Sequence, residues 1–125
     1  MTNSPSIYTD IELSTEIMSA SDHRLIQLLF EKFLQHMQIA KMGIQNNERN
    51  SRNNAITKAY DIIVYLRSCL KFEDEEMKNF SEQLDSSYIM IQKCLLNATL
   101  KNDDEYLELA SMMMTNIKSG WDEIG

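Results

Sequence analysis

Two histidines, two cysteines and one acidic run are the residues of this chain whose chemistry reaches beyond packing. His23 and His36 stand thirteen positions apart. On one helix that spacing turns them about 140° from each other, so they do not converge on a metal ion. The Glu-x-x-His pairs of di-iron helical bundles are missing. Each histidine is expected in a surface or capping position. Cys69 and Cys94 lie on or beside apolar stripes and are expected to be buried thiols, with no pairing to a histidine. The run Glu73-Asp74-Glu75-Glu76 precedes an apolar series, where the positive end of a helix dipole favours acids. No Gly-rich phosphate loop and no nucleophile elbow is present. These residues contain no catalytic constellation and call for no metal or cofactor.

The elements that would position any such group come next. With 125 residues the chain fits one domain and can bury a core without metal or disulfides. One Pro and three Gly are too few for the turns of an all-β protein and point to long helices. The balance of 12 Lys and Arg against 19 Asp and Glu gives a net charge of −7, with no basic stripe. That argues against nucleic acid and against anionic membrane surfaces, both of which need clustered cations. No apolar run approaches the roughly 18–20 residues of a membrane span, and none predicts membrane insertion. The N-terminus lacks a basic segment followed by an apolar one, and two Cys make no disulfide framework. A cytosolic protein is expected.

Four helices are predicted. The first, Asp22 to Gln45, carries Leu25, Leu29, Phe33, Met37, Ala40 and Ile44 on one stripe, widened by Ile26, Phe30 and Leu34. Ser21 is its expected cap. Asn46 to Asn54, with five Asn, reads as a loop. The second helix, Asn53 to Leu70, has Ala55, Ala59, Ile62, Leu66 and Cys69 at coiled-coil spacing, with Ser51 or Asn53 as cap. The third, Asp74 to Leu100, runs through Met77, Phe80, Leu84, Tyr88, Ile91, Leu95 and Ala98. The fourth, Asp103 to Ile124, runs through Tyr106, Ala110, Met113, Ile117, Trp121 and Ile124, reinforced by Leu107, Met114 and Trp121, with Asn102 or Asp103 as cap. Short connections favour an all-α, antiparallel up-down-up-down four-helix bundle over residues 19–125. Residues 1–18 read as an extended N-terminal arm whose apolar members include Tyr8, Ile11 and Leu13.

The pattern leaves apolar residues over. Leu28, Ile89, Met90, Leu96 and Met112 sit at the margins of the stripes. Met112-Met113-Met114 are consecutive on a helix and cannot all face one core. Such a surplus suits a groove for an amphipathic segment of another chain, or a face for a second copy of this one.

Several stretches resemble the family of flagellar secretion chaperones named FliS. Met18-Ser19-Ala20-Ser21 leading into Leu25-Ile26 and Leu28-Leu29-Phe30-Glu31 is similar to the family's SASP and LLxMLYDG elements. Lys58-Ala59 with Ile62-Ile63 and Leu66 resembles its second helix. Tyr88, then Leu95-Leu96-Asn97-Ala98-Thr99-Leu100-Lys101-Asn102-Asp103, resembles its LYDYM…LLxANLxND stretch. Asn116-Ile117 with Trp121 and Ile124 resembles its C-terminal end, and Tyr8 falls where the family carries an arm tyrosine. Asp22 replaces the family's Pro, Lys32 its Gly, Met90 its second Tyr and Thr99 its Asn, and acids occupy the place of a Gly-Gly pair.

The resemblance implies a cytosolic chaperone without catalysis that binds the disordered C-terminal segment of flagellin. It would prevent premature polymerisation and deliver the cargo to the flagellar type III export gate, as a monomer or weak dimer. Ile63, Leu66, Tyr88, Ile91 and Leu95 are the residues expected to line the flagellin groove. Tyr8, Ile11 and Leu13 are expected to form a displaceable cover and to touch the export-gate protein.

Overall fold

A computed structural model describes residues 22–73 and 75–124. Its four helices are α1, Asp22–Gln45; α2, Arg49–Ser68; α3, Glu75–Lys101; and α4, Asp104–Ile124. α1 packs on α2 and α4, and α3 packs on the same two, while among the described residues the diagonal pairs approach each other only through their core side chains. Each helix therefore has two neighbours in an antiparallel square, the expected bundle. The core is a central column formed by the predicted stripes. Leu29, Phe33, Met37 and Ala40 of α1 meet Ala59, Ile62 and Ile63 of α2, Ile91, Leu95 and Ala98 of α3, and Leu107, Ala110 and Met114 of α4. Of the three consecutive methionines, Met114 is buried, Met113 half-buried and Met112 exposed, as three directions on a helix require.

The α1–α2 connection is shorter than the asparagines suggested. Asn47 takes a left-handed φ of 56°, which Asn tolerates better than most residues, and reverses the chain in place. The Glu48 amide donates to the Gly43 carbonyl at 2.8 Å, and the Arg52 amide returns to Glu48 at 3.0 Å. α2 thus starts at Arg49, and neither Ser51 nor Asn53 caps it. Glu48 holds the cap position without a side-chain bond. Tertiary contact explains the early start. Gly43 lets α2 approach so closely that a Cβ there would lie 2.9 Å from the Arg52 amide nitrogen. Arg52 is itself buried and donates to Asn102 in the α3–α4 turn and to Asn53 at 2.8 and 3.0 Å. Asn102 ends α3 with a φ of 49°. Asp103 then caps α4, its Oδ1 accepting from the Glu105 amide at 2.9 Å. Ser21 lies outside the described residues.

The opposite end of the bundle is less tightly closed. α2 stops at Ser68, and the Cys69 and Leu70 amides tighten onto the Leu66 and Arg67 carbonyls, both at 3.2 Å. Cys69 lies beyond the helix and is exposed, which corrects the expectation of a buried thiol; Cys94 is buried as expected. The Ser81 hydroxyl donates to the Lys71 carbonyl at 2.5 Å and fixes the α2–α3 loop against α3. Met77 and Phe80, the first members of the α3 stripe, are exposed, Phe80 by 55%. His36 is buried at 6% exposure, against the expected surface position. It shares a turn with Phe33, Met37 and Ala40, so the wide apolar face of α1 takes it in.

Candidate functional site

At the end where α1 starts and α4 finishes, the four helices diverge around an open cavity of about 870 Å³. α1 contributes Leu25, Ile26 and Phe30, and α2 contributes Tyr65 and Leu66, followed by Leu70. α3 adds Met77, Phe80, Leu84 and Tyr88, and α4 adds Ile117 and Trp121. The wall is mostly apolar because α3 continues its stripe beyond the point at which α2 has ended, with Asp22, His23, Ser68, Lys71, Ser81 and Asn116 as its polar members. Asp22, the first described residue, is among the lining residues.

One side of the cavity is fastened by a reciprocal pairing of α1 and α4. The His23 and Trp121 rings stack with centroids 4.8 Å apart and 9° between planes. His23 Nε2 lies 2.8 Å from the Trp121 carbonyl, and Trp121 Nε1 donates to the His23 carbonyl at 3.0 Å. Trp121 also meets Phe30 edge-on, with centroids 6.4 Å apart. Asp122 adds a polar tie, accepting from Lys118 at 2.7 Å and from Gln27 at 2.6 Å. The Lys118 bond, then the Gln27 bond, hold its carboxyl below the usual range.

A second apolar feature runs up the seam between α2 and α3. Arg67 marks the seam, donating to both carboxylate oxygens of Asp85 at 2.6 and 3.2 Å and to Gln92 at 3.1 Å. The Asp85 bond raises the guanidinium's already high pKa. Tyr60 lies one heptad before Arg67 and Val64 three residues before it. Ile89 follows Asp85 by four, and Leu96 follows Gln92 by four. The same side of each helix therefore carries these four, with Val64 exposed by 49% and Leu96 by 52%. α2 and α3 make the least extensive contact of the four packed pairs, which leaves this groove shallow but open.

The residues named from sequence fall into two sets. Leu66 and Tyr88 are buried yet line the end cavity. Ile63, Ile91 and Leu95 lie in the closed core beneath the α2–α3 groove, at 0–2% exposure with the other two. Tyr8, Ile11 and Leu13 lie outside the described residues. Sequence reasoning missed the pairing of His23 with Trp121, since 98 positions separate them. It also missed Tyr65, and it placed Leu70 inside the second helix, whereas Leu70 follows α2 and lines the cavity.

Tyr88 and Ser81 are the buried cavity residues that carry a hydroxyl, and that of Ser81 is bonded to the Lys71 carbonyl. Tyr88 is 2% exposed, and among the described residues its hydroxyl has no hydrogen-bond partner. Burial, then the nearby Cys69 and Asp85, push its phenol well above the usual tyrosine range. Burial likewise raises the Cys94 thiol. Among the described residues no three His, Cys, Asp or Glu gather to hold a metal ion, and no helix is long and apolar enough to cross a membrane.

The fold and the site define a small antiparallel four-helix bundle with a mostly apolar cavity open at one end. Within that class, residues 4–125 match the family described as flagellar protein FliS, and the chain belongs to that family. Three curated relatives agree. The flagellar secretion chaperone FliS of Vibrio cholerae is 29% identical, covering 99% of this chain and 90% of its own. The FliS of Escherichia coli is 32% identical, over 93% and 85% of the two chains. The flagellar secretion chaperone FliSB of Pseudomonas aeruginosa is 30% identical, over 94% and 91%. These relatives are chaperones by name, and chaperoning is not an enzymatic role.

Proposed function

We propose that this chain is a cytosolic export chaperone that binds the disordered C-terminal segment of flagellin. In this reading it keeps flagellin from polymerising early and hands it to the flagellar export gate. The observation that carries the reading is the open end cavity, in a chain of the FliS family. An apolar helix turn of the cargo would fill the cavity, and a second segment would lie along Val64 and Leu96. Leu66 and Tyr88 would touch the cargo from the cavity wall. Ile63, Ile91 and Leu95 would shape the groove from beneath. Residues 1–18 would act as an arm, with Tyr8, Ile11 and Leu13 covering the cavity until cargo displaces them and then meeting the export-gate protein. The place of Asp22 in the cavity lining supports that route. The protein would work as a monomer or weak dimer, without cofactor or catalysis.

Calorimetry tests the reading with the full chain and the C-terminal segment of its cognate flagellin, about 40 residues long. Folding coupled to binding buries much apolar surface and gives a large negative heat-capacity change. Absence of binding heat at several temperatures would count against it. Deleting residues 1–17 is expected to tighten binding if the arm covers the cavity, and unchanged affinity would remove the arm's covering role.

A further inference from the structure

The end cavity is lined mostly by apolar side chains, and of the two buried hydroxyls in its wall that of Ser81 is already bonded to the Lys71 carbonyl, while among the described residues that of Tyr88 is not bonded. Buried tyrosine hydroxyls usually find a partner, because a desolvated donor left unpaired forfeits its bonds to water. Tyr88 has none among the described residues. The nearest candidates are already committed or weak. Asp85 receives both of its bonds from Arg67, at 2.6 and 3.2 Å. Cys69 offers a thiol, which is a poor acceptor.

The phenol keeps its proton at neutral pH, since its burial raises the pKa far above that range. It therefore acts as a neutral donor in an apolar chamber. A carboxylate is a poor match for this buried donor, because desolvating the charge is costly. A neutral acceptor fits better. The last four carbonyls of any helix have no intrahelical partner, and an entering helix end must place them somewhere.

We propose that Tyr88 is the polar anchor of the cavity, its hydroxyl donating to a free backbone carbonyl at the C-terminal turn of the bound segment. This rests on the reading that the cavity receives a flagellin segment. The anchor sets register and discriminates among apolar segments. A segment that arrives without a free carbonyl leaves the Tyr88 hydroxyl buried and unpaired in the complex, and sites built this way reject the mismatched ligand strongly.

Tyr88→Phe tests it, with two measurements on the full chain. Thermal unfolding of the free protein is expected to show an unchanged or higher melting temperature, because an unpaired hydroxyl is removed and the ring retained. Calorimetry with the C-terminal flagellin segment is expected to show binding about tenfold weaker. A lower melting temperature would mean that the hydroxyl is already bonded inside the free protein, and would overturn the anchor. Equal affinity of the two proteins would overturn it too, while leaving the flagellin reading intact. A wild-type chain that binds no segment would sink the flagellin reading and the anchor together, so the two failures are told apart by the wild-type titration.

Discussion

Gly43→Ala puts the closest helix crossing of the bundle to the test. In an open helix the change would stabilise by up to about 1 kcal/mol, since Ala is the better helix former. Here the new Cβ would meet the Arg52 Cβ and amide nitrogen at 2.9 Å and its Cα at 3.0 Å. Ordinary carbon contacts lie near 3.5–4.0 Å, so about half an ångström or more must be found. Two of the three neighbours are backbone, and a rotamer change cannot release them. The whole first turn of α2 must move. That turn carries the Glu48 amide bond to Gly43, and Arg52 carries the bond to Asn102 that joins α2 to the α3–α4 turn. Overpacking of this kind costs roughly 1–3 kcal/mol. The propensity gain offsets part of it, for a net loss of about 1–2 kcal/mol. Urea unfolding followed by circular dichroism measures this as a lower midpoint at unchanged slope. A midpoint equal to or above the wild type would refute the close approach and restore propensity as the deciding effect.

Two further outcomes rest on single residues. At Gly120 a Cβ would meet nothing within 4 Å, so Gly120→Ala should raise stability by about 0.5 kcal/mol, less than a mid-helix gain because the helix end frays. His23→Ala removes the stack and one bond to Trp121, the sole tryptophan, and should red-shift its emission and cost about 1 kcal/mol. Tyr88 predicts a pH dependence as well. Its folded pKa lies above the usual 10.0, so above about pH 10 the unfolded chain releases a proton that the folded one keeps. Its contribution is intact below that pH, and stability then falls by about 1.4 kcal/mol per pH unit. Denaturant midpoints of wild type and Tyr88→Phe should therefore diverge between about pH 9 and about pH 11, the variant losing less. Parallel curves would place the phenol in water.

Helical period was the legible signal, and it was read well where each helix has two flanking neighbours. The bounds of α1 and the stripe through Leu29, Phe33 and Met37 follow from spacing alone, because apolar residues every three or four positions have one way to be buried. The errors came from effects that spacing does not carry. The five asparagines suggested a long loop. One of them, Asn47, makes the reversal, and the contact of Gly43 with Arg52 draws Asn50, Asn53 and Asn54 into α2. Cys69 continued the heptad of Leu66, but the helix had stopped at Ser68. His36 reads as polar in sequence and is enclosed because both its neighbours in the turn above and below are core.

The site was legible only as a surplus. Period identifies the face of a helix that is apolar; it does not say which part of that face a neighbour covers. Ile63, Ile91 and Leu95 follow the same rule as Leu66 and Tyr88, yet the first three meet another helix and the last two meet a cavity. The difference is one of length. α2 ends at Ser68 and α3 begins its regular turn at Glu75, so the α3 residues Met77 and Phe80 outrun any partner on α2. A stripe that extends past the end of its packing helix must either be covered by a segment from elsewhere or stay wet. Comparing stripe lengths across sequential helices therefore locates such an opening from residue spacing alone. In this chain it points to the end where Leu70 and Phe72 interrupt an otherwise polar connection.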